Sequence, residues 1–313
     1  MVRWLWLVIA AVIGVAAISV IGDIRHLGER LSGFAWSAFI AALALALTNY
    51  VLRFVRWQIY LRRQEVSIPP ASSAIVFGAG LSLSITPAKL GELVKSFLLR
   101  EMHDIPAPKT APIVVAERVS DLIALLLLAV IGVAAYGVDP TLVIGAGGLI
   151  MFGLVLLAWP RPTRALIDLV TSPARLQRLR VPFHETLVGL SALCRPGPLA
   201  LATLIAVPAW GCECVGFALV CGAFPGVHVD LGLATVIYAG TTIAGALSFL
   251  PGGLGVTEGA MTLALVSGSA RLDPSTAVAA TLLTRLATLW FAVLIGVILL
   301  AIAKRRIARR SRS

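Results

Sequence analysis

Two sets of glutamates and arginines stand inside otherwise apolar stretches, and each set accompanies a proline–glycine break. The first break reads Pro87-Ala-Lys89-Leu-Gly91-Glu92, with Lys95 beyond it. The second reads Pro251-Gly252-Gly253-Leu-Gly255, with Glu258 three residues on. Each is followed by an apolar half-helix, a polar proline-containing stretch and a long apolar helix that holds an arginine. Arg118 lies 31 residues after Pro87, and Arg285 lies 34 after Pro251. Ionisable side chains are costly in hydrocarbon and mark substrate or ion paths when a membrane segment keeps them. Interruptions at corresponding places in two halves of a chain point to a binding site near the bilayer midplane. The chemistry expected is reversible capture of a polar group inside the membrane.

The residues divide the work as follows. Thr86-Pro87 is a good helix start, and exposed N–H groups there would attract an anion such as phosphate. Lys89 and Lys95 add positive charge, and Glu92 shares a turn with both. Gly252, Gly253 and Gly255 remove side chains, so backbone can approach a ligand or another helix. Glu117, Arg118 and Asp121 open an apolar helix, and the three-residue spacing lets Arg118 and Asp121 pair. Arg285 lies about ten residues into its helix, deep enough to need a partner; Glu258 is the natural one, as Glu92 is for Arg118. Two readings of these pairs stand. They are neutralised struts between helices, or the arginines bind a lipid phosphate while the glutamates act as coupling or counter-charges. Asn49, Arg53 and Arg56 share one helix face, either as a third polar set or with the arginines snorkelling to the interface beside Trp57. Glu213 is a further intramembrane acid whose role stays open.

Composition excludes most alternatives. Of 313 residues, 59% are hydrophobic and 13% charged, with mean hydropathy +0.96, against about 25% charged in soluble domains. No room is left for a sizeable soluble catalytic domain. The chain holds no G-x-x-x-x-G-K-[ST] loop, no H-E-x-x-H and no G-x-S-x-G elbow, so neither enzyme activity nor a cofactor is expected. Its four histidines are scattered without metal-like spacing. Its four cysteines, three of them within one apolar segment, read as small hydrophobes rather than metal ligands. The net charge of +11 is unevenly placed: Arg53, Arg56, Arg62 and Arg63, six arginines from Arg161 to Arg195, and the tail from Lys304 contrast with 136–140 and 224–231, which carry no Lys or Arg. This asymmetry reads as positive-inside topology and contact with anionic lipid heads rather than with nucleic acid.

The segments drawn are 4–22, 33–55, a broken pair 71–86 and 89–100, 113–136, 140–159, 198–223, a second broken pair 232–249 and 255–268, and 275–303. The second legs reach only about 16–20 Å, too short for a core of about 30 Å. The expected fold is therefore an all-α polytopic membrane protein, one domain over 1–313, with about six full spans and two re-entrant hairpins. Helix, hairpin and helix recur with inverted orientation. The first repeat is 33–136 (hairpin 71–100) and the second 198–303 (hairpin 232–268). They are joined by 140–197, whose residues 162–193 form an amphipathic surface layer or an ordinary linker. A basic cytoplasmic tail, 304–313, closes the chain, and the N-terminal segment is read as an uncleaved membrane helix.

At these residues the chain resembles a known family. Asn49-Tyr-Val-Leu-Arg53-Phe-Val-Arg56-Trp57, Thr86-Pro-Ala-Lys-Leu-Gly-Glu-Leu-Val-Lys95, Ala116-Glu-Arg-Val-Ser-Asp121 and Leu250-Pro-Gly-Gly-Leu-Gly-Val-Thr-Glu258 look like the flippase-like membrane region of lysylphosphatidylglycerol synthases. The resemblance covers about 33–303 and implies movement of a charged or glycosylated lipid between leaflets of a bacterial inner membrane. In full-length synthases a soluble aminoacyl-transferase domain follows; this chain stops after Lys304–Ser313, so the resemblance does not carry synthase activity. The first motif reads Pro-Ala-Lys where many relatives have Pro-Gly-Gly, which makes that tip more cationic. The expected function is transport of an anionic phospholipid or polyprenyl-phosphate-linked glycolipid. The alternative is a membrane partner of a lipid-modifying glycosyltransferase.

Overall fold

The computed structural model describes residues 31–136, 160–172, 180–267 and 270–310, a few isolated positions between 141 and 177, and of residues 88–90, 160–162 and 166 only the backbone. The segments expected at 4–22 and, for the most part, 140–159 lie outside the described residues. Every regular element among the described residues is helical. In chain order these are α1 (Trp36–Arg63), α2 (Pro70–Leu81), a 3-10 turn (Pro87–Leu93), α3 (Val94–His103), α4 (Ala107–Tyr136), α5 (Pro160–Val170) and α6 (Arg180–Leu193). Then follow α7 (Pro196–Gly222), α8 (Leu231–Leu247), a short 3-10 turn (Pro251–Gly253), α9 (Val256–Ser267), α10 (Pro274–Arg285), a π turn (Leu286–Trp290) and α11 (Phe291–Arg310).

Local chemistry explains the boundaries. Proline occupies the first turn of α2, α7 and α10, where its missing N–H costs nothing. The Asp230 carboxylate caps α8 at the Gly232 N–H, and that of Asp273 caps α10 at the Thr276 N–H. Among the described residues, four helices are long and apolar enough to cross a bilayer: α1, α4, α7 and the run from α10 to α11. Their outward faces carry large apolar side chains, such as Ile40, Val51, Val130, Ile131, Leu204, Leu294 and Ile298, whereas Asn49, Arg53, Arg56, Glu117 and Asp121 point inward. Apolar outside and charged inside is what lipid as solvent demands. The chain is a multi-pass membrane protein.

Three boundaries differ from the sequence reading, and the differences matter. The helix expected over 33–55 runs on to Arg63, because Arg53, Arg56 and Trp57 fall on its inward face and continue it. The helix expected from 113 begins at Ala107 and carries Pro112 within it, so Glu117, Arg118 and Asp121 lie in its third and fourth turns rather than at its start. Residues 304–310 are not a separate tail; they extend α11. The 162–193 stretch forms α5 and α6, with α6 packed on α4 through Gly189 against Pro112.

The packing follows one pattern. α1 packs on α7, where Gly216 faces the Ala42 backbone. The long helix α4 packs on the short helix α8 of the other half, and the long helix α11 on the short helix α2. The α2–α11 approach is very close: a Cβ at Gly296 would stand 2.0 Å from the Ser82 nitrogen and 2.6 Å from the Leu81 carbonyl carbon. One apolar core is built around Phe217, Leu233, Tyr238, Met261 and Leu265, a second around Trp57, Tyr60, Phe77, Leu98 and Ile113. A small third one, Ile85, Leu254 and Leu289, joins the two breaks.

The ends of the bundle differ in charge. Gln64 bonds Gly189, Lys109 bonds the Glu65 carbonyl, and Arg310 reaches the Glu101 carbonyl and Asp104, so one end gathers Arg62, Arg63, Arg100, Arg309 and Arg310. The other end joins Ala35 to Ala223 and Gly33 to Pro225. Ser72 near the start of α2 and His103 at the end of α3 meet at 2.6 Å, so both legs of the first broken pair reach the basic end.

Candidate functional site

The first break is a built turn. The Thr86 hydroxyl donates to the Leu83 carbonyl (2.7 Å) and accepts the Gly91 N–H (2.6 Å), which folds the 3-10 turn back on the end of α2. That fold drops Glu92 inward, to 1% exposure. Ser84 donates to its Oε1 at 3.2 Å. Lys95 Nζ at 3.2 Å, Arg118 Nη2 at 3.3 Å and Arg53 Nη2 at 3.6 Å surround it with three cations. Lys95 is equally enclosed. Its stem crosses Gly80, where any Cβ would sit 2.6 Å from the lysine Cγ. Its ammonium lies 2.5 Å from Glu117 and 4.8 Å from the Trp57 ring centre. Asp121 completes the cluster, accepting from Arg56 (2.7 Å) and Trp210 (3.0 Å) with Arg118 at 3.1 Å.

Four cations therefore face three carboxylates in a nearly dry interior. Such a cluster keeps its charges only because each neutralises the next; any one left alone would carry a large desolvation penalty. This overturns the interface reading of Arg53 and Arg56. They are 4% and 1% exposed, and Trp57 beside them is fully buried. Their partners come from α4 and the 3-10 turn, which the spacing on α1 could not reveal. Asn49 on the same face donates to the Ala209 carbonyl of α7 at 2.8 Å.

The second break uses glycine where the first uses hydroxyls. Gly252, Gly253 and Gly255 have φ of +61°, +64° and +85°, a left-handed backbone that L side chains resist. The turn leaves the Gly252 carbonyl aimed at Arg285, whose Nη2 donates to it at 2.8 Å. Arg285 Nε donates to Glu258 Oε1 at 2.5 Å, and Glu258 Oε2 accepts the Gly255 N–H at 2.7 Å. Arg285 and Arg118 are each the twelfth residue of their helix. Immediately after Arg285 the helix widens into the π turn, a feature frequent at functional sites. Tyr50 ties α1 to it through the Thr288 carbonyl (2.7 Å).

Between the two breaks lies a cavity of about 350 Å³, within the range of small-ligand sites. Its walls are mostly apolar, and three guanidiniums, Arg53, Arg118 and Arg285, reach it. Asp121, Glu213, Gly252 and Gly253 also line it. Pro87, Gly91, Glu92, Lys95, Glu117, Pro251, Gly255, Glu258, Asn49 and Arg56 are not part of its lining; Glu92 and Glu258 pair with the lining arginines Arg118 and Arg285. The side chain of Lys89 lies outside the described residues. Glu213 accepts from Tyr238 at 2.6 Å. The sequence reading missed Tyr50, Ser84, Trp210, Tyr238, Thr257 and Thr288 as lining residues. Tyr50 was findable, three residues before Arg53 on the same helix face; an isolated tyrosine such as Tyr238 carries no signal until Glu213 is seen opposite.

Compared with known families, the chain matches the lysylphosphatidylglycerol synthase TM region over residues 6–296. The chain belongs to this family. The match takes in both breaks, the buried charge cluster and the cavity. As a lysylphosphatidylglycerol synthase-type membrane region it is a domain linked to lipid-related functions. No curated protein matches the chain.

Proposed function

We propose that this membrane region moves an anionic lipid, a phospholipid or a polyprenyl-phosphate-linked glycolipid, between leaflets of the bacterial cytoplasmic membrane, without covalent chemistry of its own. The observation that carries the reading is the cavity: an apolar chamber between two helix breaks, entered by three guanidiniums. A lipid presents such a surface with phosphate and acyl chain together. Arg118 and Arg285 would take the phosphate, with Glu92 and Glu258 returning to them on release. The pairing of each long third helix with the other half's broken pair supports an inverted repeat. The Ser72–His103 contact supports a first hairpin that enters and leaves on one side. The basic end supports cytoplasmic placement of the C-terminus and, with an even number of crossings, of the N-terminus.

The test is movement of fluorescent phosphatidylglycerol, phosphatidylethanolamine and a polyprenyl phosphate in proteoliposomes, for wild type and Arg285→Ala. Movement of one lipid, lost in the variant, carries the proposal. Movement of none, with folded protein in the bilayer, refutes it and favours a membrane partner for a lipid-modifying enzyme.

A further inference from the structure

Arg53 is the anomaly of the buried cluster. A guanidinium has five N–H donors, and a buried donor without an acceptor costs much of its hydration. The Arg53 side chain is 5% exposed, yet it makes no hydrogen bond with any described residue, and its Nε and Nη2 are enclosed without an acceptor. The nearest carboxylate oxygen, Glu92 Oε1, stands at 3.6 Å, close enough for attraction but beyond a hydrogen bond. Arg56, one turn on and equally buried, also keeps Nε and Nη2 without an acceptor, but its Nη1 donates to Asp121 at 2.7 Å and Ser120 at 3.1 Å, and it does not line the cavity. Arg53 does line it.

We infer that Arg53 joins Arg118 and Arg285 as a receptor of the cavity for a singly charged phosphodiester, and that Glu92 is an internal anion from which the ligand's phosphate draws it away. The transport reading bears only on whether that phosphodiester belongs to a lipid. Guanidinium donors match two phosphate oxygens in one plane, so Arg53, once drawn from Glu92 toward the cavity, would gain acceptors for N–H groups that are enclosed without one. Glu92 can release Arg53 because Lys95 and Ser84 remain on it, each at 3.2 Å. The charge count sets the ligand class. Arg53, Arg56, Lys95 and Arg118 exceed Glu92, Glu117 and Asp121 by one positive charge, so one negative charge completes the cluster. Glu213, which lines the same cavity, opposes a second.

The experiment titrates the full-length protein in detergent with glycerophosphoglycerol, micellar phosphatidylglycerol and inorganic pyrophosphate by calorimetry. Wild type should bind the diester, Arg53→Gln should bind it at least about tenfold more weakly, the loss of one charge-assisted hydrogen bond, and Glu92→Gln should bind it more tightly. Misfolding can mimic a loss but not the gain in Glu92→Gln. Tighter binding of the micellar lipid than of the soluble diester marks a lipid source, and equal binding a soluble one; either supports the assignment. Diester affinity indifferent to Arg53→Gln or unimproved by Glu92→Gln overturns it, and so does pyrophosphate binding more tightly than the diester. The lipid-movement assay is read separately. Movement without Arg53-dependent binding sinks this inference alone, and Arg53-dependent binding without movement sinks the transport reading alone.

Discussion

Replacing Lys95 with Met removes one charge from the most enclosed part of the molecule while keeping nearly all of its volume. The apolar stem still fits over Gly80, so packing changes little. What is lost is the ammonium 2.5 Å from Glu117 and 3.2 Å from Glu92. At an effective dielectric near 20, those attractions are about 7 and 5 kcal/mol. Glu92 keeps Arg118 and Arg53, but Lys95 is the one cation at ion-pair distance from Glu117 among the described residues, and the Glu117 side chain is fully enclosed. Removing one partner of a buried pair costs about 3–5 kcal/mol, because the remaining charge is left enclosed and uncompensated. That corresponds to a fall of roughly 10 °C in thermal unfolding. The double variant Lys95→Met/Glu117→Gln should recover most of it, because it removes the orphaned charge as well. Thermal unfolding in detergent, followed by near-ultraviolet circular dichroism, reads both. A Lys95→Met protein within about 2 °C of wild type, or a double variant no more stable than the single one, would refute the claim that Lys95 holds the cluster together.

Three further outcomes follow from single contacts. Gly296→Val should cost at least about 1–3 kcal/mol by separating α2 from α11, because its Cβ meets the Ser82 backbone at 2.0 Å; a thermal melt unchanged from wild type would contradict that packing. Gly252→Ala should cost about 1–2 kcal/mol from its φ of +61° and displace the carbonyl that Arg285 holds, which slower lipid movement in a still-folded protein would register. Hydrogen bonds from Arg180 (2.7 Å) and His184 (2.9 Å) hold the Asp168 carboxyl below the usual range. Since the folded-state value is depressed, its contribution is present above about pH 4 and lost as pH falls through the folded-state value. Hydrogen exchange in α5 and α6, corrected for intrinsic rate, should show protection lost in acid by wild type and already absent at pH 7 in Asp168→Asn.

Much of this protein is legible one residue at a time. Hydrophobic runs longer than a bilayer core, broken at Pro87 and Pro251, dictate a polytopic helical chain with two interruptions, because backbone in lipid must satisfy its own hydrogen bonds. The Glu–Arg sets announce a polar interior for the same reason: hydrocarbon tolerates charge only when it is paired. The pairs Glu92–Arg118 and Glu258–Arg285 could be proposed from position alone. What spacing could not decide is which way a side chain at a helix end turns. Arg53 and Arg56 sit near the end of an apolar run, where snorkelling is the cheap solution, and only the arrival of Asp121 and Glu92 from other elements makes burial cheaper. Nor could it separate residues that face the cavity from those behind it. Glu92 and Arg53 lie in equally polar motifs, yet one is enclosed by cations and the other opens onto the chamber. Local sequence determines where charge can exist inside a membrane; the convergence of helices and turns distant in sequence decides which charges neutralise each other and which are left for a ligand.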